Sequence, residues 1–166
     1  MNTKKIAYGG ILAALYVVLT YAQNFLWPGS TSMAIQVRIS EALCVFAFFT
    51  PAAIPGLTIG CLLFNITFAG ALPLDWVVGS LATLLAAAAM WAVRGLTVRG
   101  YPLAGMLMPA LTNAVLVGWE LTVYIGGGFA INALYVALGE LIVLLTLGSL
   151  LLHILQKRDL AKRLFR

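Results

Sequence analysis

From Ala42 to Ala71 the chain runs for about 30 residues without one charged side chain, well past the roughly 20 that an α-helix needs to cross the hydrocarbon of a bilayer. Comparable apolar runs occupy 6–27, 75–93, 103–125 and 130–155. Only 9% of the residues are charged and 63% are hydrophobic, whereas a soluble domain carries about 25% charged residues. A water-facing surface is not built from so few charges, which excludes a soluble globular enzyme. Disorder is excluded for the opposite reason, since disordered chains are poor in apolar residues. The fold class expected is an all-α membrane protein, because in lipid the backbone polar groups must be satisfied within each segment. Residues 1–166 are read as one transmembrane domain.

Turn signals cut the apolar runs into six. Pro28-Gly29-Ser30-Thr31-Ser32 ends the first span, and Met33 to Arg38 reads as extended or as a short hairpin. Thr50-Pro51-Ala52-Ala53-Ile54-Pro55-Gly56 divides the long stretch, because proline lacks a donor and clashes with the preceding turn. This leaves a short second span near 39–49 and a third near 54–68. A fourth begins around Leu72-Pro73-Leu74-Asp75, a fifth covers 103–125, and Gly126-Gly127-Gly128 turns the chain into a sixth. With six transmembrane helices both termini lie on one side, together with the 94–101 connection. That side collects nine of the ten Lys and Arg residues, so the positive-inside rule predicts cytoplasmic termini in a cell membrane. Such cations serve topology and lipid headgroups rather than nucleic acid.

Carboxylates are the informative charges. Asp159 belongs to the polar tail, but Glu41 and Asp75 fall at outer helix ends, and Glu120 and Glu140 lie within spans. A carboxylate inside a span is costly and marks a functional site by default, with a structural hydrogen bond or a partner for Arg38 as the alternative. Asn113, Glu120 and Tyr124 share one helical face, as do Asn132 and Glu140, and as do Tyr16, Thr20 and Gln23. With Asn65 from the third span, these faces predict a polar pocket in the outer half, with Trp119 beside it. Trp27, Trp76 and Trp91 read as interfacial belt residues, and His153 as an interfacial residue without a metal-ligand partner. Cys44 and Cys61 read as small core residues. Gly9 with Ala13, and Gly10 with Ala14, form two overlapping small-residue pairs that allow close helix approach, either inside the bundle or against a partner. No GxxxxGK[ST], GxSxG or CxxC occurs, so ATP binding by a P-loop, hydrolase and thiol-redox chemistry find no motif here.

The block Gln36-Val37-Arg38-Ile39-Ser40-Glu41-Ala42-Leu43, continuing through Phe48-Phe49-Thr50-Pro51-Ala52-Ala53-Ile54-Pro55-Gly56-Leu57 to Gly60-Cys61-Leu62-Leu63-Phe64-Asn65, resembles the QueT family. Leu74-Asp75 and Gly79-Ser80-Leu81-Ala82-Thr83-Leu84 fit the same pattern. The resemblance implies a substrate-binding (S) component of an energy-coupling factor (ECF) importer for a queuosine precursor, a 7-deazaguanine or related nucleoside. It implies a six-helix bundle that is not itself an enzyme and holds no cofactor. Its implied partners are a transmembrane coupling protein and two cytoplasmic ATPases, with the face of Gly9, Gly10, Ala13 and Ala14 as the docking surface. For such a ligand the candidate binding residues are Glu120, Glu140, Asn113, Asn65, Arg38, Gln36, Tyr124, Glu41 and Asp75. A carboxylate offers two acceptors to the paired N–H donors of a guanine-like edge. An S component for another flat vitamin or base, a stand-alone proton-coupled transporter using Glu140, and a ligand-free assembly subunit are the competing readings.

Overall fold

A computed structural model describes residues 3–31, 35–157 and 160. The cationic tail residues Arg158, Lys162, Arg163 and Arg166, Asp159, and the Met33-Ala34 start of the expected extended stretch lie outside the described residues. The described chain is helical, with an isolated bridge between Val98 and Tyr101. Helix α1 covers Thr3–Leu26, and a 3-10 helix follows at Ile39–Phe48. Next come α2 (Ala53–Thr67), a 3-10 turn (Pro73–Trp76) leading into α3 (Val78–Ala92), and α4 (Leu103–Tyr124). Helix α5 (Phe129–Val143) continues through a π turn (Leu144–Gly148) into α6 (Ser149–Lys157). Four stretches are long and apolar enough to cross a membrane: Thr3–Leu26, Pro73–Ala92, Leu103–Tyr124 and Phe129–Lys157. The remaining two, Ile39–Phe48 and Ala53–Thr67, are shorter apolar helices.

The breaks fall where turn chemistry placed them. Thr50 Oγ1 accepts from the Ala52 amide at 3.3 Å, so the chain turns at Pro51 and α2 starts at Ala53. Pro55 is harmless there, because a first-turn residue needs no amide donor. Gly126 and Gly127 adopt φ of 81° and 80°, a left-handed backbone that only glycine enters without a steric cost.

The 3-10 helix lies at the centre of the bundle. Ser40, Glu41, Ala42, Leu43, Cys44, Val45 and Ala47 are all buried, as expected for a helix that is apolar on every side. Its 3-10 geometry stretches ten residues over about 20 Å, at about 2.0 Å per residue. Helices α1, α2, α3, α4 and α5 follow one another around it, each packed on its neighbour in that order. The main core joins its Leu43, Cys44 and Val45 to Tyr16, Leu57, Met90, Met106 and Leu144. A second, smaller cluster holds Ala82, Val117, Leu121 and Val136. Both cysteines are free and buried.

Helix α1 meets α2 through backbone rather than side chains. A Cβ on Gly56 would lie 2.6 Å from the Gly9 carbonyl oxygen, and one on Gly60 would lie 2.8 Å from that of Ala13. Gly60→Val is therefore expected to force α1 and α2 apart and to cost about 1–3 kcal/mol or more, the range for overpacking. Thermal unfolding of the solubilised protein checks this: a Tm equal to wild type would contradict the close approach.

Candidate functional site

The described residues between α1 and the 3-10 helix fold onto the bundle, and Gln23 makes most of the side-chain contacts that hold them. Gln23 Nε2 donates to Ser30 Oγ at 2.8 Å and to the Val37 carbonyl, while its Oε1 accepts from the Ile39 amide at 2.7 Å. Thr31 Oγ1 donates to Asn24 Oδ1 at 3.0 Å. The Val37 amide reaches the Ser30 carbonyl at 3.1 Å, and Gln36 to Arg38 form no regular element. On the opposite side Gly139 of α5 touches the Gln36 backbone so closely that any Cβ there would overlap its carbonyl. Gln23→Ala leaves the Ile39 amide and Val37 carbonyl unpaired. An expected loss of about 1–3 kcal/mol, the cost of buried groups left without partners, is checked by thermal unfolding and by faster proteolysis within 27–38.

This segment delivers Arg38 to the middle of a polar cluster. Arg38 Nη2 lies 3.7 Å from Asp75 Oδ1, with both side chains buried, and 3.5 Å from the Thr31 carbonyl. Burial works against the Arg38 charge, but Asp75, with Tyr16, Cys61 and Glu41 behind it, outweighs that and raises the guanidinium above its ordinary pKa. Asp75 comes from the 3-10 turn ahead of α3, where its Oδ2 accepts from the Leu72 amide at 3.3 Å. Asn65 of α2 donates to the Asp75 carbonyl at 2.8 Å. Gly79 makes room for the group, since a Cβ there would sit 3.0 Å from Asn65 Nδ2 and 3.3 Å from Asp75 Oδ1. Glu120 of α4 faces Asp75 and Arg38. Glu140 of α5 faces Glu41 and Arg38, and its Oε1 accepts from Asn113 Nδ2 at 3.0 Å.

Glu41 differs from the others because both of its oxygens have donors. Tyr16 Oη donates to Oε1 at 2.6 Å and Cys44 Sγ to Oε2 at 3.3 Å. By contrast, seven buried polar atoms have no hydrogen-bond partner among the described residues: Arg38 Nε, Asn65 Oδ1, Asp75 Oδ1, Ser80 Oγ, Glu120 Oε1 and Oε2, and Glu140 Oε2. Buried polar groups are ordinarily satisfied, and an orphan needs an explanation. Five of these seven are oxygens that only accept, one is a donor, and Ser80 is either. Such a set is complementary to a ligand rich in N–H groups.

Arg38, Glu41, Asn65, Asp75, Asn113, Glu120 and Glu140 thus gather around the guanidinium as one buried network. Gln36 is buried through its place in the segment above it. Tyr124 does not join them. It shares the face of Asn113 and Glu120, but it is the last residue of α4 and is 42% exposed. Trp119 is 50% exposed and likewise points away. Asn132 donates to Thr122 Oγ1 and the Gly126 carbonyl, both at 3.0 Å, and so secures the glycine turn instead. The ion pair that Arg38 makes is with Asp75 rather than with either carboxylate inside a span. Ser80 and Gly79 were not singled out from the sequence as site residues, although both stand in the Gly79-Ser80 block that carries the family resemblance. Nothing but its proximity to Glu140 would have marked Gly139.

The small-residue face of α1 divides. Gly9 and Ala13 pack against α2, whereas Gly10 has nothing within 4 Å of a Cβ and Ala14 is exposed. Beside them a groove of about 420 Å³ runs between α1 and α2, lined by Gly9, Gly10, Ala13, Ala52, Pro55 and Ile59 among others.

The family model described as QueT transporter matches residues 6–157. A queuosine precursor transporter, QueT, from Lactococcus lactis subsp. cremoris (strain MG1363) is 41% identical over 87 residues, which cover 51% of this chain and 47% of that relative. The matched region thus spans about half the length of the curated relative. No solved structure matches the chain.

Proposed function

The chain belongs to the QueT transporter family, and from that premise we propose that it captures a queuosine precursor, a 7-deazaguanine base or a related nucleoside, at the Arg38-centred network. It is a multi-pass membrane protein of transport, not an enzyme. The observation that carries the ligand reading is the imbalance of the orphaned atoms: Asn65 Oδ1, Asp75 Oδ1, both Glu120 oxygens and Glu140 Oε2 accept, and Arg38 Nε donates. The Watson–Crick edge of a guanine-like base carries adjacent N–H donors beside one carbonyl oxygen. A carboxylate takes the donors bidentately, and a guanidinium N–H takes the carbonyl. Glu120, with two free oxygens, is assigned the donor edge, and Arg38 the carbonyl. An adenine-like edge reverses two of those positions, with an amino donor in place of the carbonyl and a ring-nitrogen acceptor in place of the ring N–H, and leaves buried groups unpaired, the situation that gives the strongest discrimination.

The test is thermal unfolding of the purified protein with 7-deazaguanines, guanine, 7-deazaadenine and flat vitamins. A ligand bound only by the folded state raises Tm by mass action. A shift with deazaguanines and none with deazaadenine is expected, and a shift with a vitamin alone contradicts the reading.

The finer architecture proposed is that of an ECF-type S component in the plasma membrane, with six crossings and cytoplasmic termini. Uptake is driven by a separate coupling protein and two ATPases. Its docking surface is the α1 groove, with Gly10 and Ala14 outward and Gly9 and Ala13 setting the depth of the groove. Gly10→Leu meets open space, so ligand binding and Tm are expected to stay at wild-type levels while uptake in cells carrying the ATPase module falls tenfold or more. Unimpaired uptake would remove the groove from the docking surface.

A further inference from the structure

Two of the orphaned acceptors have no task at the base edge, and they stand together. Asn65 Oδ1 and Asp75 Oδ1 both lack a partner among the described residues. Their side chains are buried, and Asn65 Nδ2 donates to the Asp75 carbonyl at 2.8 Å. That bond, with a second from Nδ2 to Cys61 Sγ at 3.5 Å, fixes which end of the Asn65 amide is which, because an oxygen set against a carbonyl oxygen would repel it. Asn65 Oδ1 is therefore a true acceptor. Asp75 Oδ2 already accepts from the Leu72 amide at 3.3 Å, which leaves Oδ1 as the free oxygen of that carboxylate. Gly79 borders both residues. A Cβ there would lie 3.0 Å from Asn65 Nδ2, 3.3 Å from Asp75 Oδ1 and 3.9 Å from Arg38 Nη1, so a side chain at this position would crowd all three groups. The same Asp75 oxygen is 3.7 Å from Arg38 Nη2.

Ring chemistry says what this corner meets. In a 7-deazaguanine, carbons 6 and 7 are bonded to the same ring carbon, so a substituent on carbon 7 leaves the ring beside the carbonyl oxygen. A base whose carbonyl is held by Arg38 directs that substituent toward a neighbour of the guanidinium, and Asp75 is the carboxylate paired with it. Two free acceptor oxygens, one of them on a carboxylate, match the N–H groups of an ammonium. A nitrile offers only an acceptor and would be set against like atoms. The charge count also favours a cation, since among the described residues the four carboxyl groups of Glu41, Asp75, Glu120 and Glu140 are buried with Arg38 as the one buried cation. We infer that Asn65 Oδ1 and Asp75 Oδ1 form a subsite for a cationic 7-substituent, and that the protein selects 7-aminoalkyl deazaguanines over the 7-cyano base. Glu120 and Arg38 keep the base edge, so the subsite adds contacts and takes none away. For the placement of the ring this rests on the reading given under Proposed function, and it adds which member of that class is captured.

Calorimetric titration of the purified protein with unsubstituted 7-deazaguanine and with its 7-methyl, 7-aminomethyl and 7-cyano derivatives is the test. The methyl group enters the same space without a charge. The aminomethyl base is expected to bind about 10- to 100-fold tighter than the methyl base, the range for hydrogen bonds to a charged group, and the cyano base more weakly than the unsubstituted one. In Asp75→Asn the ratio between the aminomethyl and methyl bases is expected to fall close to one, whatever becomes of the affinity for the ring. Should that variant not fold, Gly79→Ala places a Cβ 3.3 Å from Asp75 Oδ1 and is expected to weaken the methyl and aminomethyl bases relative to 7-deazaguanine. An aminomethyl base that binds no tighter than the methyl base, a ratio unchanged in Asp75→Asn, or substituted bases unaffected by Gly79→Ala overturns the subsite, while binding of 7-deazaguanine itself upholds the reading of the ring. If none of the four bases binds, both fall together.

Discussion

Glu120→Gln is expected to weaken capture of a 7-deazaguanine by about 2–5 kcal/mol, roughly 30- to 4,000-fold in Kd, the range for removing one partner of a buried, hydrogen-bonded charge. The substitution keeps the size of the side chain, removes one acceptor, and turns an amide donor toward the same space. The ligand-free protein responds with the opposite sign. Glu120 has no hydrogen bond to lose among the described residues, so Tm without ligand stays equal to wild type or rises. That opposition is the signature of a group held at a cost to stability for the sake of binding. A structural glutamate would lose Tm and spare Kd. Glu140→Gln is milder, because its Oε1 can still accept from Asn113 as an amide oxygen.

The second large effect falls on stability. Arg38→Met is expected to lower the unfolding free energy by about 3–5 kcal/mol, the cost of breaking a buried pair from one side. The loss comes chiefly from Asp75, left buried beside Glu120 with no cation 3.7 Å away. Adding Asp75→Asn to Arg38→Met removes the stranded charge and is expected to restore a large part of the loss, since the amide oxygen still accepts from the Leu72 amide. Thermal unfolding of the three proteins is the measurement. Equal Tm values for Arg38→Met and wild type would show that the pair does not hold the 3-10 turn to the segment ahead of the central helix.

Much of this fold is legible in the chain because lipid leaves few ways to satisfy a backbone. Thr50-Pro51 and the three glycines after Ile125 set helix ends, and the apolar runs set the helices. The geometry of the 3-10 helix is not legible. A segment buried on every side has no polar face to report its period, so 3.0 and 3.6 residues per turn look alike from Ile39 to Phe48. The site is half legible for a related reason. Glu120, Glu140, Asn113 and Asn65 are conspicuous because a polar group among apolar ones must find a partner. The partner itself is hidden: Arg38 meets Asp75 across 37 positions of sequence, through a loop whose described residues are held by Gln23, Asn24 and the close approach of Gly139. Periodicity assigned Tyr124 to the same face as Glu120 correctly, but it carries no information on where the neighbouring helices stop. Small residues on α1 were ambiguous because Gly9 and Gly10 are adjacent, and adjacent positions of a helix face about 100° apart. One packs inward and the other does not.

What the Arg38-centred network binds decides the function of the protein. The most direct measurement is calorimetric titration of the purified protein with 7-aminomethyl-7-deazaguanine and, in parallel, with 7-deazaadenine. Saturable binding of one deazaguanine per chain, absence of deazaadenine binding at the same concentrations, and weakening in Glu120→Gln are the results predicted. Equal affinity for the two bases, or Glu120→Gln binding as tightly as wild type, would contradict it.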